Sequence, residues 1–69
     1  MPGKKFWLRI RDALNEAKNK AEHLGFKVLS ISIVHGKMKV RRGKSKWTVY
    51  ITLLPPWQGG GWDWSWIPE

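Results

Sequence analysis

The spacing of apolar residues changes once along this chain, at Gly25, and that change sets the fold class. From Lys4 to Leu24, apolar side chains fall at Phe6, Trp7, Ile10, Ala13, Leu14, Ala17, Ala21 and Leu24. These steps of three and four place them on one face of a helix. Arg11, Asp12, Asn15, Lys18, Asn19 and Glu22 take the opposite side. Gly25 then supplies a residue that accepts the left-handed conformation in which helices end, with His23 in the last turn at the negative end of the dipole.

Beyond Gly25 the period is two. Phe26 to Val34 alternates and is rich in β-branched residues, with Leu29, Ile31 and Ile33 on one side. A two-residue loop at His35-Gly36 sets Ile33 opposite Met38 and Ile31 opposite Val40. A second loop at Gly43-Lys44 sets Val40 opposite Trp47 and Met38 opposite Val49, and the third strand, Lys46 to Leu54, adds Ile51 and Leu53 to that surface. Slipping either register by one residue would split the apolar sets between the two faces. The expected fold is therefore α+β: one N-terminal helix packed on a three-stranded antiparallel meander, followed by a Trp-rich C-terminal tail.

Pro55-Pro56 ends the last strand, because proline cannot donate to a ladder. Gln58-Gly59-Gly60-Gly61 has the composition of a flexible spacer, and Trp62, Trp64 and Trp66 then alternate with Asp63 and Ser65. The chain divides into a basic α-β-β-β domain at 1–56 and a Gly/Trp-rich tail at 57–69. The tail is expected to pack on the body or on a neighbouring chain, against Val28, Val34, Leu54 and Tyr50 at the margins of the sheet face away from the helix.

With 69 residues and no cysteine, neither disulfides nor thiolate-bound metal reinforce the core, and six Trp provide the bulk instead. No apolar stretch approaches the ~20 residues that span a bilayer, and no membrane role is expected. The opening Met1-Pro2-Gly3-Lys4-Lys5-Phe6-Trp7 leads into a charged amphipathic segment rather than the apolar centre of a signal peptide. The expected location is the cytoplasm, or the host cytoplasm for a viral protein.

Thirteen Lys and Arg against five Asp and Glu give a formal charge of +8, which attracts polyanions. Lys37, Lys39, Arg41, Arg42, Lys44 and Lys46 fall within ten residues without an intervening acid. Alternation puts Lys37, Lys39, Arg41 and Lys46 on the sheet face away from the helix, with Arg42 and Lys44 at the adjoining hairpin. Tyr50 lies opposite Lys37, and an aromatic on a basic sheet can stack a base for about 1–3 kcal/mol. Lysines on exposed strands also serve simply to block edge pairing; the shared face, Tyr50 and the net charge favour a polyanion site. The expected function is a small nucleic-acid-binding protein that uses these cations on phosphates.

The alternative is a protein-interaction module or inhibitor of the kind phages and mobile elements encode. Its cations would meet an acidic protein surface, and Trp57, Trp62, Trp64 and Trp66 would anchor the partner. The tail, carrying Asp63 and Glu69, could also compete with nucleic acid for the basic face. A homodimer through the tail or the open sheet face fits either function. His23 and His35 lack ligand spacing, no nucleophile–base set is visible, and Gly59-Gly60-Gly61 lacks the strand-to-helix setting of a phosphate loop. Neither metal, cofactor nor enzymatic activity is expected. In topology alone, a helix followed by a three-stranded meander resembles double-stranded-RNA-binding domains. Their second helix and its basic opening motif have no counterpart here, so no residue role transfers.

Overall fold

The computed structural model describes residues 4–69; Met1, Pro2 and Gly3, part of the opening read above as unlike a signal peptide, lie outside the described residues. Helix α1 runs Lys4–His23, followed by strands β1 (Lys27–Ser32), β2 (Lys37–Arg42), β3 (Ser45–Leu53) and β4 (Trp62–Pro68), with a short 3-10 turn at Pro56–Gln58. The strands form one antiparallel sheet in the order β1-β2-β3-β4, and α1 covers one face.

The helix ends as its sequence dictates. Gly25 takes φ 89°, its N–H donates to the Glu22 carbonyl (3.0 Å), and the Phe26 N–H reaches the Ala21 carbonyl (3.0 Å). This paired closure satisfies carbonyls that would otherwise lack partners, and it brings Phe26 in over Ala21. On the apolar stripe, Ile10, Ala13, Leu14, Ala17 and Ala21 are buried. The alanines let the helix backbone approach the sheet closely. Met38 and Val40 of β2 and Val49 and Ile51 of β3 form the other half of the core.

The β2–β3 hairpin has the expected register, with Val40 opposite Trp47 and Met38 opposite Val49. The first hairpin does not. Ile31, not Ile33, faces Met38, and Val28, not Ile31, faces Val40. The connection is four residues, 33–36, rather than the pair His35-Gly36. Leu29 is the extra residue of a β-bulge between Val28 and Ser30, and a bulge reverses the alternation on one side of it. Val28 therefore packs against the core rather than on the open face, and Lys27 shares a face with Arg41. On the β4 side, Glu16 and Lys20 of the helix meet Trp62. Leu29, Ile31 and Ile33 of the first hairpin stay exposed.

The sheet has four strands rather than three. Residues 62–68 return antiparallel to β3, with Val49 opposite Trp66, Ile51 opposite Trp64 and Leu53 opposite Trp62. Gly59, Gly60 and Gly61 all take positive φ (95°, 67° and 73°), so this run is a reversal that few other residues could make, not a tether. The Leu54 N–H closes it on the Gly61 carbonyl at 3.0 Å. Without β4, β3 would present a bare edge and the flank of α1 would have no apolar cover.

Pairing in this register sends Trp62, Trp64 and Trp66 to the helix side, not toward Val34, Leu54 and Tyr50. Trp62–Trp64 (5.5 Å) and Trp64–Trp66 (5.2 Å) meet edge to face, and Trp66 continues onto Phe26 (4.9 Å) and Trp47 (6.2 Å). Each such pair contributes about 0.5–1.5 kcal/mol beyond the area it buries. Cations close the row at both ends: Lys20 Nζ lies 5.0 Å from the Trp62 ring and the Arg42 guanidinium 4.6 Å from the Phe26 ring. The Trp62 indole N–H donates to the Glu16 carboxylate.

Candidate nucleic-acid interface

On the open face, cross-strand pairing arranges side chains in rows. Lys27, Arg41 and Lys46 form one row across β1, β2 and β3. Ser30, Lys39, Thr48 and Ile67 form the next, and Ser32, Lys37, Tyr50 and Ser65 the third. Thr52 and Asp63 finish the β3–β4 side. Successive rows are about 7 Å apart, two residues along a strand.

The first row sets three cations side by side. Like charges directly opposite each other on a sheet destabilise it, and the acid beside this row, Glu69 across from Lys46, pairs with Lys39 instead. Among the described residues the ion pairs are Arg11–Asp12 (3.3 Å) and Lys39–Glu69 (3.8 Å). Lys27, Arg41 and Lys46 are all exposed, which leaves their heads free to meet an external anion.

The middle row is chemically different. The Thr48 hydroxyl donates to Glu69 Oε1 at 3.2 Å, and Lys39 Nζ lies 3.8 Å from the same oxygen. The backbone N–H of Glu69 donates to the Lys46 carbonyl at 3.0 Å, which fixes where this carboxylate can reach. Among the described residues, Thr48 is the buried polar residue, at 9% exposure. In the third row Tyr50 stands beside Lys37 with its ring exposed. It is the aromatic of this face among the described strands, since the β4 indoles point to the helix side.

Of the cations singled out in the sequence, Lys37, Lys39, Arg41 and Lys46 come together on this face, and Lys44 stands exposed in the β2–β3 turn. Arg42 does not join them. Its Nη1 donates to the Leu24 carbonyl at 3.0 Å while its guanidinium covers Phe26, so it closes the C-terminal end of the helix from the core side. Lys27 was not singled out, because plain alternation would have put it with the apolar set. A lysine in an apolar phase beside Phe26 and Val28 was the available signal of a bulge.

Of the tail residues, Trp62, Trp64 and Trp66 are half-buried against the core, whereas Trp57, in the 3-10 turn, is 83% exposed. Ser32 Oγ and His35 Nδ1 are 2.8 Å apart at the β1–β2 turn. No group of three His, Cys, Asp or Glu that could hold a metal ion occurs among the described residues, and no helix among them is long and apolar enough to cross a membrane. No protein-family model matches the sequence, and no curated protein or solved structure matches it either.

Proposed function

We propose that this is a small nucleic-acid-binding protein that takes the sugar–phosphate backbone across its open sheet face. The observation that carries the reading is the row Lys27–Arg41–Lys46, three neighbouring cations none of which is in an ion pair; the adjacent acid, Glu69, pairs with Lys39 instead. Such a row costs folding energy and repays it only when an anion arrives, releasing condensed counterions as it does so. Lys37 and Lys39 extend the positive field. Ser30, Ser32, Thr48 and Ser65 offer hydroxyls of the kind that bond phosphate and sugar oxygens. Tyr50 provides one ring for stacking. These contacts position a backbone and carry no base code, so the expected binding is insensitive to sequence.

The test is anisotropy of labelled single- and double-stranded oligonucleotides at low salt, with the wild type and with Lys39→Glu combined with Arg41→Glu. The double variant should lose at least about tenfold in affinity. Equal affinity for the two proteins would overturn the reading.

Trp57 favours a second reading, in which the same cations meet an acidic protein surface. A Trp this exposed is a ready anchor. In that case Trp57→Ala weakens capture of the acidic partner; oligonucleotide affinity unmoved by Trp57→Ala but lost with Arg41→Glu supports the first reading.

A further inference from the structure

We propose that Lys39 and Thr48 form a phosphate subsite whose seat the Glu69 carboxylate occupies in the free protein. The inference rests on the nucleic-acid reading above and adds to it one located anion seat and its internal occupant.

Three features of the geometry point there. The first is convergence: a hydroxyl donor and an ammonium meet one carboxylate oxygen, Glu69 Oε1, at 3.2 Å and 3.8 Å. A phosphate oxygen accepts the same two groups, because charge-assisted bonds of this kind do not distinguish carboxylate from phosphate. The second is burial. Thr48 is 9% exposed on a face whose other side chains are mostly open to solvent, so the bond it makes to Glu69 is partly sheltered.

The third is selection of partner. Glu69 bonds the Lys46 backbone through its N–H, which makes Lys46 its nearest cross-strand neighbour. Its carboxylate nevertheless turns to Thr48 and Lys39, and Lys46 forms no ion pair among the described residues. The carboxylate thus sits in the row next to Lys27–Arg41–Lys46, about 7 Å from it, on the path of a backbone lying across the face.

The seat is also releasable. The Lys39 and Glu69 side chains are 51% and 38% exposed, and a surface pair of this type changes an equilibrium by no more than about fivefold. Displacing the carboxylate needs only a side-chain rotation at Glu69, and the β4 ladder stays intact.

The experiment measures anisotropy of labelled single- and double-stranded oligonucleotides at low salt with the wild type, Glu69→Gln, and Glu69→Gln combined with Thr48→Val. Glu69→Gln should bind about three- to fivefold more tightly than the wild type, and adding Thr48→Val, which keeps the shape and removes the hydroxyl, should cancel most of that gain. Wild-type binding that Glu69→Gln leaves unchanged or weakens would overturn the subsite and leave the wider reading standing. A gain that survives Thr48→Val in full would reflect only the loss of one negative charge, and would overturn the subsite too. No binding by the wild type to either probe would overturn the nucleic-acid reading and the subsite with it.

Discussion

On the covered face of the sheet, cross-strand neighbours agree: Val40 meets Trp47, Met38 meets Val49 and Ile51 meets Trp64. One residue along the same strands, on the open face, they conflict: Lys27 meets Arg41 and Arg41 meets Lys46. The backbone ladders are common to both faces, so the difference lies in the side chains alone. One face lowers the free energy of the fold by burying apolar surface. The other raises it slightly by crowding charge, and the proposed reading is that a partner supplies the missing counter-charge. The two faces should therefore answer to different assays.

The largest effects belong to the covered face. Leu14, 1% exposed, is enclosed by α1 and the sheet, and Leu14→Ala should cost about 3–5 kcal/mol. A domain of this size has about 3–5 kcal/mol in all, so thermal or urea unfolding should find this variant largely unfolded at 25 °C. Trp66→Ala should follow at about 2–4 kcal/mol, because it removes the ring that joins Trp64, Phe26 and Trp47. Removing residues 62–69 should likewise unfold the domain, whereas a detachable tail would leave a cooperative melt, which circular dichroism distinguishes directly.

Arg42 is the residue that breaks the division, since it belongs to the cationic cluster in sequence and to the covered side in space. Arg42→Ala should cost about 1–2 kcal/mol through the lost bond to Leu24 and the lost cover over Phe26. Oligonucleotide affinity should hardly change in this variant while it is folded. If it weakened as much as Arg41→Glu does, the separation of the two faces would be wrong.

The smallest expected change in stability is the sharpest. Arg41→Glu puts an acid between Lys27 and Lys46 and should stabilise the fold by about 0.2–1 kcal/mol while weakening polyanion binding. A variant that melts higher and binds less separates the two faces in one molecule.

The degree to which the sequence disclosed these faces follows from local chemistry. The helix and its end were legible because the stripe from Ile10 to Ala21 and Gly25 report on their own neighbourhood. The β2–β3 hairpin was legible because Gly43-Lys44 and the phases of Val40 and Trp47 agree. The first hairpin misled because its loop takes four residues where His35-Gly36 suggested two, and because the bulge at Leu29 reverses alternation without any glycine or proline to mark it, which also hid Lys27 from the site. Gly59-Gly60-Gly61 has the composition of a tether, and only its positive φ angles make it a reversal; the alternation of Trp62, Trp64 and Trp66 was the competing signal that a strand follows. Arg42 could not be separated from its neighbours by sequence, because its partner, the Leu24 carbonyl, is 18 residues away.

The most direct test of the account is the salt dependence of oligonucleotide affinity, followed by anisotropy between low and physiological ionic strength. If Lys27, Lys37, Lys39, Arg41 and Lys46 each meet a phosphate, a single strand should give a log–log slope of about −3.5, and Arg41→Glu should flatten it by about 0.7 or more. A slope near zero, or the same slope with Arg41→Glu, would contradict the claim that the open face is where the polyanion binds.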